Sequence, residues 1–405
     1  MTYVFITGES EAKIWGLTGR ERLQRMLNAF LQCNLAQDVA QIPEGRSVVV
    51  LRADHVFDAR VLSGLMKAEC DCLLVSDAGL PVAMRVSGEV PAAVADFVKG
   101  ETGQFHANLP RYTVKDLNLL NLRQNLKKRD QPYVFPVSEA NRRTLESELY
   151  VRSYKGVTDL VTKWLWPIPA YWVVRFCVRA GLRPNHVTLL SLVFAVWAGV
   201  AFWQGHYGLG LVMAWLMTFL DTVDGKLARV TVTSSRMGDV LDHGLDIIHP
   251  PLWYIAWAAG LPEVPEWMPD MPVLIALILA GYIGGRLCEG AFQFWVASFD
   301  IFIWRPVDSY SRLVTARRNP NLILLTGGWL AGRPDIGLMA VVVWHLISTG
   351  FLALRVLMGW QARQSQGTLH SWFEELRPGR DDGKLAARIF APVMVKAHDR
   401  KVADR

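Results

Sequence analysis

From Val187 onward the chain alternates apolar stretches with short polar links, and this pattern limits its possible folds more than any other feature. About 20 apolar residues cross the hydrocarbon core of a bilayer as a helix. "VTLLSLVFAVWAGVAFW" reads as a first span, "LGLVMAWLMTFL" runs into Asp221 as a second, and a third begins near Leu241 and ends by Leu261. "PVLIALILAGYIGGRLCEGAFQFWV" is the fourth. "LILLTGGWLA", with residues before Asn321, is the fifth, and "IGLMAVVVWHLISTGFLALRVLMG" is the sixth. Only the fourth and sixth are long enough to stand alone.

Charge orients these spans. The links after the first, third and fifth, "QGHYG", "PEVPEWMPDM" and "GRPD", hold a single Lys or Arg, Arg333. The opposite side carries Arg179, Arg183, Lys226, Arg229, Arg236, Arg305, Arg312, Arg317, Arg318 and a basic tail. Basic residues favour the cytoplasmic side. Both termini are therefore expected to face the cytoplasm from the inner membrane. The formal charge of +6 has the same reading, attraction to anionic lipid, because no nucleic-acid-binding motif accompanies it. The N-terminus "MTYVFITGESEAK" has no basic stretch leading into a long apolar run, so no signal peptide is expected.

A hydrophobic fraction of 51% is low for a chain that is all membrane and high for a soluble enzyme, so a soluble part is expected as well. Residues 1–135 supply it. "YVFIT" and "SVVVL" fit buried parallel strands, and "GRERLQRMLNAFL" between them sets Leu23, Met26, Leu27 and Phe30 at helical spacing. "DCLLVSD" and "PVAMRV" read as further strands and "VPAAVADFVKG" as a helix ending at Gly100. Strand, helix, strand order predicts a Rossmann-like α/β unit. The five Cys residues (33, 70, 72, 177 and 288) show no zinc-site spacing, and Cys70 and Cys72 are expected to be buried thiols. Residues 136–186 read as a connector followed by a helix lying in the membrane interface, because the aromatics of "VTKWLWPIPAYWVVRFCVR" are interrupted by Lys and Arg. Residues 187–360 hold the six all-α spans and 361–405 a basic cytoplasmic tail.

The charges at residues 221–246 need a purpose. Asp221 and Asp224 are three apart, Asp242 and Asp246 four apart, so on helices each pair shares a face. Four carboxylates beside hydrocarbon are tolerable only with cations among them. Oxygen-only ligands suit Mg²⁺ or Mn²⁺. Gly225, Ala228 and Gly238 leave room for a bulky ligand, and Arg229 is placed to hold a phosphate. The plainer alternative is a loop whose charges only cap helices.

The stretch Asp221-x-x-Asp224-Gly225-x-x-Ala228-Arg229, eight residues, Gly238, three, Asp242, three, Asp246 resembles the signature of the CDP-alcohol phosphotransferases, with every fixed position filled. The resemblance covers about residues 150–360 and includes "LRPNHVTLLSL". It implies a six-helix membrane domain, usually a homodimer, that moves a substituted phosphate from a CDP-alcohol onto an alcohol or lipid acceptor and releases CMP in phospholipid synthesis. It further implies that Asp221, Asp224 and Asp242 hold two divalent ions, with Asp246 sharing the site and acting as the base. Gly225, Ala228, Arg229 and Gly238 would shape the cytidine diphosphate pocket. "LDHGLD" resembles a stretch of choline and ethanolamine phosphotransferases, and His243 and His249 beside it read as packing or capping residues. Arg312, Arg317 and Arg318 read equally as a grip on an acceptor phosphate or as headgroup anchors. Arg286 and Glu289, inside the fourth span, are expected to line a pocket.

"VVVLRADHVFDARVLSGLM" resembles the central part of sugar-phosphate nucleotidyltransferases, which would make Asp54 a metal ligand, and "GLTGRERLQRML" resembles the helix after their glycine-rich loop. "SYKGVTDLVTKWLWPIPAYWVVRF" looks like the junction in fused cytidylyltransferase–phosphotransferases. Here "TGESEAKIWGL" stands where the triphosphate cradle belongs, with only Lys13 matching, so a degenerate domain is expected. A bifunctional enzyme, a CDP-lipid-binding scaffold or regulator, and a metal-ion transporter are the competing readings.

Overall fold

The computed structural model describes residues 2–30, 33–38, 40, 42–43, 45–87, 90–99, 109–117, 122–123, 126–233, 236–377, 379–381 and 383–391. Side chains at 30, 90–92, 96, 99, 122–123, 236–243 and 245 lie outside that description. The chain divides into two compact units.

The first unit comprises Met1–Asn121, Asp130–Ser153 and Ala228–Ser235. Its elements begin with β1 (Tyr3–Thr7), α1 (Gly19–Phe30), β2 (Asn34–Ala36), β3 (Val48–Arg52), β4 (His55–Phe57), α2 (Ala59–Lys67), β5 (Cys72–Val75), β6 (Pro81–Val86), α3 (Val90–Lys99) and β7 (Arg111–Tyr112). The sheet order is β2-β1-β3-β6-β5-β7. β1 runs parallel to β2 and β3, and β5 parallel to β7, but β6 is antiparallel to both β3 and β5. The sheet is thus mixed; a Rossmann-like unit was expected, with "YVFIT" and "SVVVL" as parallel strands, and those two do pair in parallel while β6 reverses direction. The cause is local. Ser76 N donates to Leu80 O at 2.8 Å and Gly79 adopts φ +78°, which closes a turn far too short for the crossover that parallel strands require. Alternate residues of β3 face two cores: Val49 and Leu51 pack with Leu23, Leu27 and Leu62, Val48 and Val50 with Met84, Val94 and Phe97. A Cβ on Gly19 would sit 1.6 Å from Ala53 O, so α1 is seated directly on backbone. Cys72 is buried as expected, Cys70 is exposed, and all five thiols are free.

The second unit comprises Leu122–Arg129, Tyr154–Leu227 and Arg236–Arg405. The connector holds the helix α4 (Arg142–Arg152), in the first unit; ahead of it lie short strands, β8 (Leu122–Arg123) and β9 (Lys128–Arg129) in this unit, and β10 (Val134–Pro136), which pairs with β4, in the first. A π-helical turn (161–165) leads into α5 (Pro167–Arg179). Trp164, Leu165, Ile168, Trp172 and Phe176 are exposed there.

Then follow α6 (Pro184–Trp203), α7 (Tyr207–Val230), α8 (Arg236–Ala259), α9 (Met271–Ala291), α10 (Pro306–Val314), α11 (Arg318–Leu330) and α12 (Pro334–Gln366). Three of the described helices are long and apolar enough to cross a membrane: Pro184–Trp203, Met271–Val296 and Pro334–Gln366. The chain is read as a membrane protein on that basis; six spans were expected. α7 and α8 have 24 residues each but carry the charged motif, and α11 has 13, about 20 Å of helix against a core of about 30 Å. Phe202, Trp253, Trp257, Leu274, Leu325 and Val341 centre a core shared by α6, α8, α9, α11 and α12.

The expected tail is largely a packed element. Residues 361–366 extend α12, and α13 (Trp372–Glu375) and α14 (Leu385–Phe390) follow. Trp372, Phe373 and Phe390 are buried against Phe302 and Trp304, and Arg129 donates to the carbonyls of Phe373 and Leu376. Residues 392–405 fall outside the described residues.

Candidate functional site

α7 carries Asp221, Asp224, Gly225, Ala228 and Arg229, and α8 carries Asp246. Asp221 and Asp246 belong to different helices, yet both meet one guanidinium. Arg318, the first residue of α11, donates through Nη2 to Asp221 Oδ2 at 2.5 Å and through Nη1 to Asp246 Oδ1 at 2.6 Å. An Arg fork satisfies two carboxylates at once, a geometry Lys lacks. Asp224 is 4% exposed and accepts from Thr188 Oγ1 of α6 at 2.7 Å. Its neighbour Lys226 is buried over the Tyr154 ring at 3.3 Å. Gly225, Ala228 and Arg229 are half-buried on α7.

The side chains of Asp242, Gly238 and His243 lie outside the described residues. Among the described residues, no three His, Cys, Asp or Glu side chains converge as a metal site. The donor set nonetheless suits a hard cation: the carboxylates of Asp221 and Asp246 already share a positive charge, and both present only oxygen.

A second polar cluster borders a cavity lined by Tyr282, Arg286, Glu289, Arg317, His345 and Thr349. Glu289 pairs closely with Arg317 and lies 3.9 Å from Arg286. Arg286 and Glu289 therefore do line a pocket, but the tight partner of Glu289 is on another element. Tyr282 donates to the carbonyl of Ile247 at 2.9 Å, tying α9 to α8 one residue beyond Asp246. His249 is buried with its ring 4.7 Å from Trp253, a packing position as expected. Arg312 and Arg317 both stand over the Phe302 ring, at 5.4 and 5.8 Å, while Arg318 meets Asp221 and Asp246.

Sequence reasoning did not find Thr188 or Tyr282, and it read Arg318 equally as a grip on an acceptor phosphate or a headgroup anchor without naming its carboxylate partners. No local signal marks the first two, since a hydroxyl in an apolar span has no pattern of its own. For Arg318 the signal was its charge, but its partners are 72 and 97 residues away in sequence.

In the first unit, Asp54 is fully engaged. Arg52 Nε donates to Oδ1 at 3.0 Å and Nη2 to Oδ2 at 2.5 Å, and His55 Nδ1 lies 2.7 Å from Oδ1. Burial raises the Asp54 pKa, but the His55 and Arg52 hydrogen bonds outweigh it and hold the carboxyl far below the usual range. The loop after β1 is filled by its own side chains: Ala12, Ile14, Trp15 and Leu17 are buried, and Trp15 Nε1 donates to Glu146 O at 2.9 Å. Lys13 is exposed.

The CDP-alcohol phosphatidyltransferase family model matches residues 182–300. Cholinephosphotransferase 1 of Xenopus laevis is 29% identical over 168 residues, 37% of this chain and 40% of that protein. Cholinephosphotransferase 1 of Gallus gallus is 31% identical over 149 residues, 34% of this chain and 44% of that protein. The phosphatidylinositol phosphate synthase of Streptomyces avermitilis is 36% identical over 72 residues, 18% of this chain and 30% of that protein. The chain thus spans less than half the length of each of these relatives.

Proposed function

We propose, from the premise that residues 182–300 form a CDP-alcohol phosphatidyltransferase domain, that the chain is an integral-membrane transferase of phospholipid synthesis. It moves the substituted phosphate of a CDP-alcohol onto an alcohol or lipid acceptor and releases CMP. The observation that carries this reading is the convergence of Asp221 and Asp246 on Arg318, which joins the two halves of the aspartate motif. A loop whose charges only capped helices would have no reason to bring them together against desolvation.

In this reading the acceptor oxygen attacks the donor phosphorus that bears the alcohol. The bond from that phosphorus to the bridging oxygen breaks, and CMP leaves with the electron pair. Asp246 accepts the acceptor's hydroxyl proton; its carboxylate is the more open of the pair, with side-chain exposure of 38% against 17% for Asp221. Arg229, Ala228, Gly225 and Gly238 shape the cytidine diphosphate pocket. Arg318 holds the two carboxylates in place. Two Mg²⁺ or Mn²⁺ ions, held by Asp221, Asp224, Asp242 and Asp246, would supply neutralisation of the diphosphate and of the departing CMP. The six spans, the cytoplasmic face of the site and a homodimer belong to the same reading.

The first unit is read as a nucleotidyltransferase-like domain without that chemistry. The engagement of Asp54 by Arg52 and His55, and the self-filled loop 8–17, support this.

The test is to incubate the purified chain with a panel of CDP-alcohols and acceptors, with Mg²⁺, Mn²⁺ or EDTA, and to read CMP and lipid products by mass spectrometry. Metal-dependent CMP release paired with a new lipid is expected. A folded preparation that yields no CMP from any donor overturns the reading.

A further inference from the structure

The described residues Ala228–Thr233, between the two halves of the aspartate motif, belong to the α/β unit. They are held there in three ways. Arg22, on α1 and 6% exposed, donates through Nη1 to Val230 O at 2.7 Å. Arg25, one turn further on, donates through Nη1 to Thr231 O at 2.9 Å. Val232 is buried in the same core as Leu23, Leu27 and Leu51.

These contacts answer two problems. The last carbonyls of a helix have no partner within it and form its negative end, so Arg side chains there both satisfy and stabilise them. Val232 sits at φ +51°, a conformation that β-branched residues resist and that persists only where the surroundings over-determine it. Burial of its side chain and the hydrogen bond from Thr233 N to Ala228 O at 2.9 Å supply that determination. The position of Arg22 is itself set: α1 begins with a reciprocal Thr18–Glu21 cap and is seated on the Ala53 backbone at Gly19.

The carbonyl that Arg22 holds belongs to the residue after Arg229. We propose that Arg22 is a positioning residue: with Arg25 it fixes the backbone at Val230 and Thr231, keeping Ala228 and Arg229 set to receive the cytidine diphosphate group. This rests on the reading that those two residues shape that pocket. It gives the front unit a task that requires no reaction of its own.

CDP is the probe, because every donor of this class contains it. Binding to the full-length chain is followed by titration calorimetry with Mn²⁺, alongside steady-state CMP release. Arg22→Met should weaken CDP binding and raise the donor KM about tenfold, the scale of one buried charged hydrogen bond, with kcat and acceptor KM within about twofold. Arg22→Lys should recover most of the loss. In an Arg229→Met background, Arg22→Met should add nothing. Should Arg22→Met not accumulate, the more exposed Arg25→Met should still raise the donor KM severalfold. A folded Arg22→Met or Arg25→Met chain with unchanged CDP affinity and donor KM overturns the proposal. So does a loss of active fraction at constant KM, or an additive loss in the double variant. Failure of the unmodified chain to bind CDP would instead sink the underlying functional reading, and this proposal with it.

Discussion

Replacing Arg318 by Gln removes the guanidinium that joins Asp221 to Asp246 while keeping a side chain of similar length. In the structure Arg318 and Asp221 expose 15% and 17% of their side chains, so that half of the bridge is desolvated. Stripping one partner from a buried pair costs about 3–5 kcal/mol. The Asp246 half, with 38% side-chain exposure, is screened by solvent and adds little. A loss of about 2–4 kcal/mol is therefore expected without divalent metal, a fall in Tm on the order of 5–10 °C. Saturating Mg²⁺ should behave differently. If a divalent ion occupies the same carboxylates, it replaces the missing charge, and the loss should shrink below about 1 kcal/mol. The assay is detergent-phase thermal unfolding at one fixed scan rate, in EDTA and in Mg²⁺, for the wild-type chain, Arg318→Gln and the double variant Arg318→Gln/Asp221→Asn. The double variant should regain stability in EDTA, since the orphaned charge is gone. Equal losses in EDTA and Mg²⁺ would refute the argument that Arg318 and the metal serve the same oxygens.

Three further outcomes follow from the geometry. Asp246→Asn should lower CMP release by at least about 100-fold, the scale of a general base, while CDP binding persists in a titration; near-normal turnover removes Asp246 from that role. Asp54→Asn should leave CMP release unchanged yet destabilise the front unit by about 1–3 kcal/mol at pH 7 through the lost bonds from Arg52 and His55. Because the folded pKa of Asp54 is depressed, its contribution is full above the unfolded value of about 3.9 and fades as pH falls below it, which pH-dependent melting would register. Lys163, whose Nζ donates to Gly156 O at 2.8 Å, has its pKa pushed down to about 8 by burial. The folded state then holds that proton less tightly than the unfolded chain. Stability should rise as pH climbs from about 8 to about 10.4 and stay level below that range, and a melting series on Lys163→Met should lack the rise.

Much of the local structure was legible in the residues. Val48–Leu51 is apolar on both faces and reads as a buried strand; Leu23, Met26 and Leu27 are spaced for one helix face, and both assignments hold. The motif was legible for another reason: its residues stand at one strict spacing within and between two consecutive helices, although which carboxylates meet was not legible. No direction was read for β6, although a signal was present in a Gly79 turn too short for a crossover. The interior of the expected tail was missed because Trp372, Phe373 and Phe390 look like isolated aromatics until residues near 300 are folded against them.

The sequence alone determined that the chain holds helices apolar enough for a bilayer, where several strands and helices of the front unit lie, and that carboxylates, small residues and an arginine recur at one strict spacing. Those properties are written in neighbours within a few turns of each other, where periodicity and steric preference act. Only the tertiary structure decided that Arg318 closes on Asp221 and Asp246, that Thr188 holds Asp224, and that Arg22 reaches Val230 across 208 positions of chain. A charged or hydroxyl side chain names the kind of partner it needs and carries no record of where along the chain that partner lies. That choice belongs to the packing of distant elements.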